Sequence, residues 1–280
     1  MDMLVSSDWL AGALGAKDLR ILDATSFLPG TPRDARAEYL AAHIAGAQFL
    51  DLDTLKDKDD PRPSMVPTNE QFAARMAALG ISESDRIVVY DNSPLGSAAR
   101  AWWLLRLFGA RAVAILDGGL QRWVAEGRRT DNGEAVPGVG AFAAAKDERE
   151  IRTKADLLAN LASCAAQVVD ARGAPRFSGA DPEPRPGMVS GHIPGSVNLP
   201  IARLLDAQGL WKRGDELRET YREASVDFDK PLIMSCGSGI TACNLLFGAA
   251  LLGKHDVTVY DGSWSEWGAD PATPKATGTA

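Results

Sequence analysis

The stretch from Pro231 to Gly253, PLIMS-CGSGITA-CNLLFGAALLG, carries the plainest chemistry in the chain. It reads as a buried strand, a glycine-containing loop opening on Cys236, and an apolar helix. A loop that curls over a sulfur can aim several backbone N–H groups at it, and the positive end of the following helix adds to them. A thiolate is then held without a neighbouring Lys or Arg, and a cysteine in such surroundings is nucleophilic near neutral pH. Gly237 and Gly239 let the backbone approach the sulfur and take positive φ where required. The competing reading, a small inert core cysteine, fits poorly with a strand end followed by G-S-G-I-T-A. Cys243, two helical turns on, and Cys164, in LLANLASCAA, read as packing residues.

Strand, cysteine, loop and helix are also the plan of the cysteine phosphatases, which need an arginine six residues after the nucleophile to clamp phosphate bidentately. Ala242 occupies that position here, so phosphoryl transfer would lack its main clamp. Upstream, DARGAPRFSGADPEPRPGMVSGH (170–192) is an irregular, proline-rich loop holding Arg172, Arg176 and Arg185. Either all three are solvated, or one or two reach the thiolate loop and grip a carboxylate as a fork. The chain has 3 cysteines and 3 histidines with no C-x-x-C, too few for a zinc finger or a disulfide framework. No residue cluster asks for a metal or an organic cofactor.

These residues must be positioned by a scaffold, and the chain repeats itself to supply one. ILDAT around Asp23 matches VVDAR around Asp170, and EYLAAHIAGAQFLDL around His43 matches GMVSGHIPGSVNLPI around His192. RIVVYD, ending at Asp91, matches PLIMSC, ending at Cys236, and VAILDGG matches VTVYDGS. Four blocks in one order, offset by 147, 149, 145 and 144 positions, mean two copies of one fold. Short apolar runs alternate with helical segments such as TNEQFAARMAALG, which Thr68 can cap and Gly80 end. That alternation predicts an α/β fold, two tandem domains each with a mostly parallel sheet flanked by helices. The expected division is 1–135, a linker over 136–151 where GRRTDNGEAVPGVG gives way to KDERE, and 152–280. Ligands of such sheets bind at the carboxyl ends of strands, where the repeat places Asp91 and Cys236 equivalently.

A length of 280 residues agrees with two domains, and 45% apolar residues suffice for two cores. With 30 Lys and Arg against 37 Asp and Glu, the net charge of −7 points away from nucleic acid and anionic membranes. The uncharged run between Lys230 and Lys254 is nominally long enough to span a bilayer, but proline, glycine and polar residues break it into strand, loop and helix. MDMLVSSDWLAGALG has neither a basic start nor a sustained apolar run, so a cytoplasmic protein is expected.

The motifs together resemble those of the two-domain rhodanese-like sulfurtransferases over nearly the whole chain. CGSGITA is similar to the CGSGVTA loop of the 3-mercaptopyruvate branch, with Ile240 for Val; DAR-x-x-x-RF, EPRPG, GHIPG, RAWWLLR and YDGSWSEWG also match. The resemblance implies that Cys236 takes sulfur from a donor as a persulfide, releases pyruvate, and passes the sulfur to a thiol such as thioredoxin, a small thiol, or cyanide. It implies that Arg176 and Arg185 hold the donor's oxygens and that the backbone of Gly237, Ser238, Gly239, Ile240 and Thr241 cradles the sulfur. It further implies a relay of Ser238, His43 and an acid, for which Asp34 is the nearest candidate. The alternative for His43 is that it ties down a turn, as His192 would in the other half. Thiosulfate-preferring members resemble CR-x-G loops whose basic residue neutralises a dianion; Gly237 and Ser238 stand there instead, which favours the monoanionic donor. Asp91 cannot form a persulfide, so the first copy is expected to be catalytically silent. A thiosulfate sulfurtransferase is the nearest alternative, and a non-catalytic sulfur carrier or redox binding module the alternative from another class.

Overall fold

Apolar runs too short for helices and buried on both faces make central parallel strands, and each half of the chain builds a sheet from them. The computed structural model describes residues 1–279. Its contacts group Met1–Lys58 with Val66–Asp147 as unit 1, and Asp59–Met65 with Glu148 onward as unit 2. Residues 136–147 therefore pack with unit 1, where Phe142 meets Phe72 edge-on and Ala145 N–H donates to Phe108 O.

Unit 1 runs β1 (Leu4–Val5), α1 (Ser7–Ala13), β2 (Leu19–Asp23), α2 (Ala35–Ala41), β3 (His43–Ile44), β4 (Gln48–Phe49), α3 (Asn69–Ala78), β5 (Arg86–Tyr90), α4 (Ala98–Leu107), β6 (Ala112–Leu116), α5 (Gly119–Ala125) and β7 (Thr130–Asp131). Its sheet has the order β1-β6-β5-β2-β4, with every pairing parallel; β3 and β7 form a separate antiparallel ribbon. Thr68 caps α3 in a capping box with Gln71, and Gly80 follows its end at φ +68°.

Unit 2 runs β8 (Ile151–Arg152), α6 (Lys154–Ser163), β9 (Gln167–Asp170), α7 (Ala174–Ser178), β10 (Val197–Asn198), α8 (Gly214–Glu223), β11 (Leu232–Ser235), α9 (Ala242–Leu251), β12 (Val257–Tyr260) and α10 (Ser263–Trp267). Its sheet, also all-parallel, reads β8-β12-β11-β9-β10, strand for strand the order of unit 1. The uncharged run thus becomes a four-residue strand and a ten-residue helix, and among the described residues no helix is long and apolar enough to cross a membrane. α4 and α9, flanking equivalent central strands, are buried along nearly their whole length. The loops after β5 and β11 are therefore held between a buried strand and a buried helix, a rigid mount for whatever residue opens them.

Candidate active site

β11 lies between β9 and β12 and delivers Cys236, 1% exposed, to the carboxyl end of the unit 2 sheet. The chain then curls: Gly239 adopts φ +80° and its N–H donates to Cys236 Sγ at 3.1 Å. Thr241 leads into α9, whose N-terminal end faces the same loop. Cys243, fully buried as expected, donates from its Sγ to Gly239 O at 3.3 Å and fixes the curl from the helix side. Gly239 is glycine for its backbone angle, whereas Gly237 has no positive φ. A Cβ at Gly237 would lie 3.1 Å from Arg176 Nη2, so the missing side chain makes room for a guanidinium.

That contact brings Arg176 to the Cys236 loop. α7, begun by Pro175 in its first turn, carries Arg176, and Glu183 grips its guanidinium from the Pro-rich loop. Glu183, its side chain 1% exposed, also accepts from Arg172 Nη1 at 2.7 Å. Arg172 is committed elsewhere: it forks onto Asp170, donates to Gly191 O and lies over the Trp264 ring. Arg172 is therefore a buried strut, while Arg176 stands at the sulfur loop. Arg185 is half-buried in the same Pro-rich segment, which Val189 ties to α10 by donating to Gly268 O and accepting from Trp264 Nε1.

The turn after β12 grips the loop from the other side. Ser263 Oγ accepts from Cys236 N–H at 3.2 Å and donates to Tyr260 O at 2.8 Å. Trp264 N–H donates to Cys236 O at 2.9 Å, and Ser265 N–H to Gly237 O at 2.8 Å. Ser263 does this at φ +49° while wholly buried, a left-handed backbone that costs a non-glycine residue about 1–3 kcal/mol. Glu266 folds back over Gly262, where a side chain would collide with it, and receives Tyr260 OH at 2.9 Å and Arg62 Nη1 at 2.5 Å. Arg62 comes from the 59–65 segment and is braced by Asp60.

Ser238 and Ile240 are buried within the loop, and Thr241 stands at the head of α9. Asp34 and His43 belong to unit 1. Asp34 caps α2, accepting from Ala37 N–H at 3.0 Å. His43 is buried, stacked on Tyr39, with Nδ1 2.8 Å from Tyr39 O. His192 repeats this in unit 2, stacked on Phe177 with Nδ1 2.9 Å from Phe177 O. Cys164 departs from expectation: it is exposed, ending α6 at φ +50°, because a left-handed cap turns its side chain off the packed face.

Asp91, equivalent to Cys236, sits in the same kind of curl, accepting from Ser93 N–H at 3.0 Å and Ala98 N–H at 2.6 Å, while its carbonyl accepts from Leu120 N–H. Part of the residue's surface is open, but its carboxyl is enclosed by this turn, and desolvation pushes it up to about 6 against the pull of those N–H groups. Among the described residues no group of His, Cys, Asp or Glu is arranged to hold a metal ion.

Glu183, Ser263 and Arg62 were not singled out from sequence. EPRPG contained Glu183, and the change from DGG to DGS between the aligned blocks marked Ser263; nothing local marked Arg62.

The model of the rhodanese-like domain matches twice, at residues 6–126 and 153–270. The human 3-mercaptopyruvate sulfurtransferase is 45% identical over 270 residues, covering 94% of this chain and 91% of its own length. Bovine thiosulfate sulfurtransferase is 43% identical over 271 residues, with 94% and 91% covered. Among solved structures, the Escherichia coli 3-mercaptopyruvate sulfotransferase SseA superposes with a TM-score of 0.86 at 39% identity, covering 95% of this chain and all of that one.

Proposed function

The chain belongs to the rhodanese-like family, with two copies of its domain, and we propose that it is a sulfurtransferase that moves the sulfur of 3-mercaptopyruvate through a Cys236 persulfide to a thiol acceptor. The observation that carries this reading is the buried Cys236 sulfur, met by Gly239 N–H, with the Arg176 guanidinium against Gly237 in the same loop. The Cys236 thiolate attacks the donor's sulfur; an S–S bond forms as the donor's C–S bond breaks. The electron pair of that bond becomes the enolate of pyruvate, which takes a proton at carbon. Arg176 and Arg185 hold the carboxylate and ketone oxygens, so positive charge stands where the enolate develops. A small thiol or a thioredoxin-like dithiol then attacks the outer sulfur, leaves as a persulfide and restores Cys236. Ser238 is buried next to Cys236 in the same loop. The matched settings of His43 and His192, and the capping bond of Asp34, support a holding role for His43 and Asp34. Free thiols at all three cysteines suit a reducing compartment such as the cytosol.

Pyruvate release from 3-mercaptopyruvate, compared with turnover of thiosulfate, tests the donor. A neutral G-S-G loop favours the monoanion, so kcat/KM is expected to be higher for 3-mercaptopyruvate; equal or higher values for thiosulfate make the protein a thiosulfate sulfurtransferase. Cys236→Ser is expected to abolish both turnover and the added sulfur that mass spectrometry detects on the Cys236 peptide. His43→Gln is expected to retain kcat within about threefold.

A further inference from the structure

The turn between β12 and α10 is where the two copies of the fold differ in a way the scaffold alone does not require. In unit 1 the equivalent position is Gly119 at φ +55°, where a Cβ would run into the Asp91 carbonyl oxygen. Unit 2 keeps the same left-handed backbone, φ +49°, but places there a wholly buried serine. A strained side chain persists where it does something glycine cannot. Here it takes hold of the nucleophile: Ser263 Oγ accepts from Cys236 N–H while donating to Tyr260 O, and the next residue's N–H donates to Cys236 O. Cys236 is thus gripped at both of its backbone polar groups by consecutive residues of one turn. In unit 1 the corresponding grip on Asp91 is the bond from Leu120 N–H to its carbonyl; Gly119 has no side chain to reach the other group.

We propose that Ser263 is a positioning residue for the sulfur chemistry. By fixing the Cys236 backbone, it keeps Sγ aimed at Gly239 N–H, in the thiolate and in the persulfide alike. The inference rests on Cys236 being the nucleophile but not on the identity of the donor.

Two substitutions separate the hydroxyl from the backbone. Ser263→Gly removes the hydroxyl and relieves the left-handed backbone; Ser263→Ala removes the hydroxyl and keeps the strain. Both are expected to lower kcat for pyruvate release about tenfold, with KM changed less than about twofold, and to slow Cys236 alkylation by iodoacetamide by a similar factor. Ser263→Gly is expected to melt at or above the wild-type temperature, losing activity without losing stability. A serine that served the fold alone would leave Ser263→Gly with wild-type rates in both assays, and that result overturns the proposal. Wild-type alkylation by both variants across about pH 6–9 overturns it too, whatever their turnover. If the wild-type protein releases no pyruvate, the donor assignment falls, and the alkylation rates still decide the role of Ser263.

Discussion

Arg176 illustrates how a residue's neighbours narrow its chemistry. Glu183 grips its guanidinium through Nε and Nη2, and that same Nη2 lies against Gly237 in the sulfur loop. A guanidinium binds a carboxylate through two parallel N–H groups, which an ammonium cannot imitate. Arg176→Gln is therefore expected to raise KM for 3-mercaptopyruvate about thirtyfold, about 2 kcal/mol, and Arg176→Lys to recover little of it, as steady-state kinetics would show. Asp91 gives a prediction of another kind. Its folded carboxyl titrates near 6 because its turn encloses it, above the unfolded value of about 4. The folded state keeps a proton that the unfolded chain releases, so this group favours folding below about pH 4 and loses that contribution as pH rises through about 6. Asp91→Asn removes the titration. Relative to wild type, the variant should gain about 1 kcal/mol on going from pH 5 to pH 7.5, read from unfolding midpoints at each pH. Cys236, Gly239 and Arg176 were legible in the sequence because a strand end, a glycine needing φ > 0 and a basic loop are local signals. The reason for Gly237 was not: it lies in a contact with a side chain 61 positions earlier.

At the scale of elements, the cysteine loop is held by the five-residue α10 and the turn before it, which contribute Ser263, Trp264 and Ser265 to the grip on Cys236 and Gly237. So short a helix has little stability of its own. Glu266 compensates, its carboxylate lying over Gly262 and held there by Tyr260 and Arg62. The Arg62–Glu266 pair is partly shielded, with side chains 35% and 15% exposed, so its coupling should exceed that of an open surface pair. A double-mutant cycle of Arg62→Met and Glu266→Gln is expected to return about 1 kcal/mol of coupling in unfolding free energy. A value near zero would mean that Asp60, not Glu266, is the partner that matters to Arg62. Helix caps such as Thr68 and the strand periodicities could be read in advance because they are written within a few residues. A bond between residues 204 positions apart leaves no such trace.

For the whole molecule, the repeat in the sequence correctly implied two copies of one parallel sheet, and the strand orders agree element for element. What it could not convey is that the chain does not divide at a single point: Asp59–Met65, flanked on both sides by unit 1, packs as part of unit 2. The second copy of the repeat is therefore incomplete as a stretch of sequence, lacking the piece that carries Arg62. This has a consequence with a definite sign. In the intact chain Glu266 is a paired carboxylate, and Glu266→Gln should destabilise by about 1 kcal/mol through loss of its bond to Arg62. In a fragment beginning at Glu148 the guanidinium is absent, and the same carboxylate keeps Tyr260 OH as its hydrogen-bond partner, with Lys154, itself bonded to Asp270, as a more distant counter-charge. A carboxylate without its direct ion-pair partner no longer repays its desolvation, so in the fragment Glu266→Gln should be neutral or stabilising. Thermal midpoints of the four proteins, intact and fragment with each residue at 266, measure that reversal directly. If Glu266→Gln lowers both midpoints equally, the 59–65 segment contributes nothing to the turn that holds Cys236, and the second half of the chain is complete without it.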